Sequence, residues 1–232
     1  MSGPYAGLVA AHGLSPAHRL VLGAVPDGAR VLDVGCSTGY LAAELTARGC
    51  HVVGVERDPE AAAQARGRCE LVLVGDIEDP AVRDELPRDM DFVLLADVLE
   101  HLRDPWAVLA GLGETLAPGG RAVVSVPNIG HWTARRALAR GRFPYADHGL
   151  FDRTHLRFFT RASAHELAQR AGFAVEREEP ATASLPLEAY LRRRLGGTEH
   201  DPPPALAAAR RRLTALRPEL FAFQFVLTLR PR

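Results

Sequence analysis

The chain has 232 residues, 47% of them hydrophobic and 24% charged, which excludes collagen-like repeats and wholesale disorder and leaves enough chain to bury a full core without disulfide or metal staples. Its 28 basic and 28 acidic residues cancel, so the surface is not built to hold long nucleic acid by counterion release. All 28 basic residues are arginine, so no Schiff-base, P-loop or general-base lysine exists here.

Cys36, Cys50 and Cys69 form no CxxC pair and read as reduced thiols. Residues 1–13 lack a basic region followed by an apolar run, and no apolar stretch reaches the roughly 18 residues of a membrane span. The expectation is a cytoplasmic protein with no membrane segment, monomeric or homodimeric.

From residue 30 onward, strand-like and helix-like segments alternate. Residues 31–34 are a short apolar run ending in Gly35, and 41–48 have helical spacing. Residues 52–55 form a second strand, stopped by Glu56-Arg57-Asp58-Pro59, and Pro59 suits the first turn of an alanine-rich helix over 60–68. Further strands are expected at 71–74 and 91–95. A short segment at 98–102 and a helix over 105–116 follow, the helix stopped by Pro118-Gly119-Gly120. A fifth strand is expected at 121–126.

Beyond it, 131–140 reads as helical and 141–159 as a loop rich in aromatics, histidine and aspartate. Residues 161–171 read as a helix capped by Gly172, and 173–178 as a strand. The stretch 181–204 carries a short basic helix and ends in Asp201-Pro202-Pro203-Pro204, 205–216 is helical, and 221–229 is a last strand. Five buried-type strands alternating with helices predict an α/β fold: a Rossmann-like, doubly wound, seven-stranded sheet, mostly parallel with an antiparallel last strand. The whole chain, 1–232, is read as one domain.

The strongest local signal is Val31-Leu32-Asp33-Val34-Gly35-Cys36-Ser37-Thr38-Gly39-Tyr40. A hydrophobic strand runs into a glycine-containing turn and then a helix, with Gly35 and Gly39 allowing close backbone approach. A dinucleotide loop would be Gly-x-Gly-x-x-Gly around a pyrophosphate. This loop is Gly-x-x-x-Gly with an acid two residues earlier, which suits a ligand carrying an amino group and no phosphate.

That run resembles the first motif of class I S-adenosylmethionine-dependent methyltransferases, with Ser37 where the family usually has glycine. The resemblance spans roughly residues 25–180 and implies S-adenosylmethionine as cofactor. It implies that Asp33, Gly35, Cys36, Ser37, Gly39 and Tyr40 form the turn that holds it, and that Glu56, beside Arg57, takes the ribose hydroxyls. It further implies that Asp76 meets the adenine amine, Ile77 covers its face, and Asp97 lines the methionine end. Residues 25–128 would be the cofactor core, with 129–160 and 181–204 covering an acceptor pocket.

Methyl transfer asks for in-line proximity and, for a tightly held proton, a base. Two histidine-bearing regions lie beyond the carboxyl ends of strands four and five. If 98–102 is helical, Asp97, Glu100 and His101 share one face by i, i+3, i+4 spacing and could hold a divalent cation. That run resembles the one in ubiquinone-pathway O-methyltransferases and small-RNA 2′-O-methyltransferases, where metal is used. The same residues also suffice to pack and cap such a turn without metal, which is the reading preferred. The second region, 126–160, resembles bacterial small-molecule and glycan-associated methyltransferases and brings His131, His148 and His155. With His101, these are the candidate acceptor-side bases.

The expected activity is methyl transfer from S-adenosylmethionine to oxygen or nitrogen of a small molecule, such as a natural product or sugar. The alternatives are a methyltransferase acting on RNA or protein, a non-catalytic S-adenosylmethionine-binding partner protein and, more distantly, a nicotinamide-dependent oxidoreductase.

Overall fold

The structure, a computed structural model, describes residues 13–182 and 204–232. The readings of 183–203, including the basic segment at 192–194, lie outside the described residues.

Four helices begin where an aspartate or serine precedes a proline. Helix α1 (Pro16–Ala24) starts after Ser15, α3 (Pro59–Ala65) after Asp58, α4 (Pro80–Asp84) after Asp79 and α5 (Pro105–Leu112) after Asp104. In each case the capping side chain accepts a backbone N–H of the first turn, while proline fills a position whose own N–H would have no helical partner. Helix α2 (Tyr40–Ala47) starts after Gly39, α6 (Trp132–Leu138) after His131 and α7 (Arg161–Arg170) after Thr160. Helices α8 (Pro204–Leu216) and α9 (Pro218–Phe221) precede the last strand.

The strands are β1 (Arg30–Val34), β2 (His51–Glu56), β3 (Leu71–Val74), β4 (Met90–Ala96), β5 (Leu116–Pro127), β6 (Phe173–Ala181) and β7 (Gln224–Pro231). They form one seven-stranded sheet in the order β3-β2-β1-β4-β5-β7-β6, with β7 antiparallel to both its neighbours and every other pairing parallel. This is the fold expected from the sequence. The middle strands are buried on both faces and so read as unbroken apolar runs. One face packs Leu109, Leu112, Leu167 and Phe173 against β1, β4 and β5; the other packs Val21, Leu41, Leu45 and Ala62. Among the described residues, no helix is long and apolar enough to cross a membrane.

Four local expectations change. Pro118-Gly119-Gly120 does not end a helix before a separate strand. It lies inside β5 as an irregularity, Met90 pairing with Leu116 and Phe92 with Arg121, while Gly119 takes φ 86°. Helix α5 stops at Leu112, and a 3₁₀ turn (Gly113–Thr115) finishes the connection. The expected start of the last strand at 221 is instead the end of α9, because Pro218 initiates one more turn of helix. The segment 98–102 is a single 3₁₀ turn (Leu99–His101), so no α-helical face joins Asp97, Glu100 and His101.

The chain runs β1, β2, β3 toward one edge and then returns to place β4 on the other side of β1. Such a reversal opens a crevice at the carboxyl ends of β1 and β4, where open α/β sheets bind ligands.

Candidate functional site

A cavity of about 340 Å³ lies in that crevice. The turn after β1 supplies Gly35 and Ser37, with Tyr40 opening α2. Glu56 and Arg57 come from the end of β2, Asp76 and Ile77 from the end of β3, and Asp97 and His101 from the segment after β4. These nine sequence candidates share one cavity. Val98, Leu102 and Thr154 line it too and were not singled out in the sequence.

The turn after β1 is tightly built. Gly35 has φ 71°, and a Cβ placed on it would lie 2.7 Å from Val98 Cγ2. A side chain here is barred by both backbone and space, so the backbone itself forms the cavity wall. Ser37 also has positive φ, 51°, at the position where the resembling family has glycine. Glu56 holds this turn: Oε2 accepts the Ser37 backbone N–H at 2.8 Å and Oε1 that of Asp58 at 2.9 Å. Asp97 is a second non-glycine residue of the cavity with positive φ, 59°. Left-handed conformations at non-glycine residues collect at ligand-binding sites, where the surroundings hold them.

Three candidates from the β1 region lie behind the cavity wall. Cys36 is buried, and its Sγ would lie 2.6 Å from a Cβ on Gly54, with Cys69 Sγ at 3.2 Å from the same point. Gly54 therefore makes room for two thiols, and Cys36 is a packing residue under the turn. Gly39 caps α2 from the left-handed region, against Ala65. Asp33 is buried, and its Oδ2 has no hydrogen-bond partner. Burial, and then the Glu56 charge, push its carboxyl up to about 7.

The cavity is thus acidic, with Glu56, Asp76 and Asp97 on its lining and Asp33 behind it. That donor set fits a cationic ligand with hydroxyl and amine groups, and the Gly35 wall fits one that approaches the backbone closely. Asp76 accepts the Glu78 N–H through one oxygen at 2.9 Å, and Ile77 is buried beside it. Both properties match S-adenosylmethionine.

The histidines separate. His131 caps α6, with Nδ1 2.7 Å from Thr133 Oγ1, and its ring packs edge-on to Phe223; it does not line the cavity. His148 is exposed on the loop and does not line it either. His101 and His155 meet, ring centroids 4.9 Å apart and edge to face. The loop is pinned there because the Glu100 carbonyl accepts the N–H groups of both Leu156 (2.8 Å) and Arg157 (3.0 Å), and Asp152 Oδ1 takes the Thr154 hydroxyl.

His101 Nδ1 lies 3.2 Å from the Thr154 carbonyl oxygen. A carbonyl only accepts, so Nδ1 carries the proton and Nε2 the lone pair of the neutral ring. Burial lowers the His101 pKa and brings that of His155 down to about 4, so both rings are neutral near pH 7.

Glu100, His101 and His155 each bring one ligand-type atom within 4.8 Å of the others. This grouping differs from the Asp97-Glu100-His101 set of the sequence: with only a 3₁₀ turn present, His155 stands in the group and Asp97 does not. Glu100 Oε2 and His155 Nε2 are buried without hydrogen-bond partners. Burial, followed by the Asp97 charge, raises the Glu100 pKa well above the ordinary carboxylate range.

A methyltransferase-domain family model matches residues 11–178. A ubiquinone biosynthesis O-methyltransferase of Xylella fastidiosa is 34% identical over 135 residues, covering 52% of this chain and 55% of that protein. One from Xanthomonas axonopodis pv. citri is 31% identical over 154 residues, covering 59% and 64%. The chain spans about half to two thirds of the length of these curated relatives. Among solved structures, a SAM-dependent methyltransferase from Thermotoga maritima superposes with a TM-score of 0.64 at 18% identity, covering 98% of this chain and 94% of the other. The magnesium protoporphyrin IX methyltransferase of Synechocystis, solved with bound SAH, gives 0.57 at 16% identity, covering 92% and 78%. The chain belongs to the methyltransferase-domain family.

Proposed function

We propose that this protein transfers a methyl group from S-adenosylmethionine to an oxygen of a small molecule. The observation that carries the reading is the single cavity in which the acidic donor site (Glu56, Asp76, Asp97) and His101 meet. The 34% identical relative is named an O-methyltransferase, which favours oxygen over nitrogen.

When bound, the donor supplies an activated methyl group on a sulfonium. The chain's residues do the rest. Glu56 accepts hydroxyl hydrogens, Asp76 the adenine amine hydrogens, and Ile77 covers the base. Asp97 meets the ammonium end, with the buried Asp33 carboxyl behind the cavity wall. His101 takes the acceptor's proton on Nε2, with the Thr154 carbonyl holding the ring in the tautomer that leaves this atom basic. His155 packs against His101 and fixes its plane. The segment 129–160 covers the acceptor side, and the one-domain organisation belongs to the same proposal.

A second reading is favoured by the two orphaned buried atoms, Glu100 Oε2 and His155 Nε2. With His101 they would hold a divalent cation that orients an acceptor oxygen.

The test is transfer of labelled methyl from S-adenosylmethionine into extract separated into small-molecule and macromolecular fractions, with and without EDTA. Label in the small-molecule fraction supports the proposal, and label only in RNA or protein overturns it. Loss of transfer on EDTA treatment, restored by added divalent cation, supports the second reading; EDTA-insensitive transfer removes it.

A further inference from the structure

Asp97 is held by three other elements. Its backbone N–H donates to Ser125 Oγ on β5 at 2.9 Å, and its Oδ1 accepts from both the Ser125 hydroxyl and Gln224 Nε2 on β7, the latter at 2.7 Å. Oδ2 faces His18 Nε2 across 3.7 Å. His18 comes from α1. It is buried, only 6% exposed, with its ring 5.2 Å from that of Tyr40, which lines the donor cavity.

The tautomer of His18 is set by the start of α1. Ser15 and His18 form a reciprocal capping box: Ser15 Oγ accepts the His18 N–H at 3.1 Å, and His18 Nδ1 accepts the Ser15 N–H at 3.3 Å. A backbone N–H can only donate, so Nδ1 holds a lone pair and the neutral ring carries its proton on Nε2. Burial lowers the His18 pKa, against the opposing pull of Asp97 and with a smaller push from Arg19. The cap that starts α1 thereby leaves the proton on Nε2, the nitrogen that stands 3.7 Å from the Asp97 carboxylate, beyond direct hydrogen-bond distance.

We infer that His18 is a positioning residue of the donor site, its Nε2–H holding Asp97 in the orientation that receives the donor's ammonium group. The inference rests on the donor site proposed above. It assigns α1, which precedes the first strand, a part in binding the donor.

The test is calorimetric titration with S-adenosylhomocysteine of the wild type, His18→Leu, His18→Gln, Asp97→Asn and the His18→Leu/Asp97→Asn double variant. In Asp97→Asn the amide oxygen keeps the Ser125 and Gln224 bonds, and the NH₂ group replaces the oxygen that faces His18. His18→Leu is expected to weaken binding about 5- to 10-fold. Gln, which carries an N–H at similar reach, restores affinity to within about 2-fold. His18→Leu adds less than about 2-fold in the Asp97→Asn background, since the two act through one contact. Full affinity in His18→Leu, or the same fold-loss in both backgrounds, overturns the inference.

Absence of binding by the wild type counts against the donor site itself. The ¹⁵N spectrum of His18 in the free protein then decides the rest. Protonation on Nε2, with a shift of that nitrogen in Asp97→Asn, supports the positioning role, and protonation on Nδ1 overturns it.

Discussion

Glu56 at the end of β2 accepts the backbone N–H of Ser37, in the turn after β1, at 2.8 Å. One carboxylate thus braces a left-handed serine from the neighbouring strand, and its other oxygen accepts the N–H of Asp58, which caps α3. The residue proposed to take the donor's hydroxyls is therefore also the strut of the donor turn. Glu56→Ala is expected to cost about 1–3 kcal/mol of S-adenosylhomocysteine affinity, because it strands two part-buried backbone donors as well as removing a ligand contact. Calorimetry showing unchanged affinity would contradict both roles.

Gly35→Ala tests the cavity wall. The added Cβ sits 2.7 Å from Val98 Cγ2 on a backbone with φ 71°. Strain and overpacking together are expected to cost about 1–3 kcal/mol of stability, with donor affinity falling at least about 10-fold. Adding Val98→Ala should recover part of the loss by relieving the contact. A Gly35→Ala protein with wild-type melting temperature and affinity would show that the turn is not close-packed.

Asp33 gives stability a pH signature. Its carboxyl, ordinarily at 3.8, is pushed up to about 7 by burial and by Glu56. From about pH 4 to 7 the folded chain keeps a proton there that the unfolded chain releases. The contribution is complete below the unfolded pKa and lost as pH rises through the folded one, with a ceiling on the order of 4 kcal/mol. Asp33→Asn removes this dependence. Urea unfolding at pH 5 and pH 8 should show the variant gaining on the wild type as pH rises; a constant difference contradicts the assignment.

His155→Ala should reduce kcat about 100-fold while leaving S-adenosylhomocysteine affinity within about 2-fold, because His155 braces the acceptor side only. His131→Ala should act differently, costing about 1 kcal/mol of stability through loss of the α6 cap. A kcat loss from His131→Ala equal to that from His155→Ala would place the base elsewhere.

Much of this was legible in the sequence because the central strands are buried on both faces, so 31–34, 52–55 and 91–95 stand out as apolar runs between polar turns; 71–74 reads the same way although it is the edge strand and exposes Leu71 and Val74. The cofactor stations follow from them, since each lies at a strand's carboxyl end. What was not legible depends on tertiary pairing. Pro118-Gly119-Gly120 carries a local turn signal, yet the β4 ladder absorbs it as an irregularity. His155 was visible as a candidate, but its meeting with Glu100 and His101 requires the loop to fold back on the Glu100 carbonyl.

Helices α1 and α4 lie outside the expected elements, although Ser15-Pro16 and Asp79-Pro80 repeat the polar-proline start of Asp58-Pro59. The Ser15/His18 spacing is equally local, whereas the proximity of His18 to Asp97 arises only when α1 packs on the sheet.

The donor is proposed to lie in the crevice between β1, β2, β3 and the segment after β4. ¹H–¹⁵N shift mapping of the wild type during titration with S-adenosylhomocysteine tests this placement residue by residue. Saturable shifts are expected to concentrate at the amides of Gly35, Ser37, Glu56, Asp76, Ile77 and Asp97. Absence of saturable shifts, or shifts concentrated away from these residues, would contradict it.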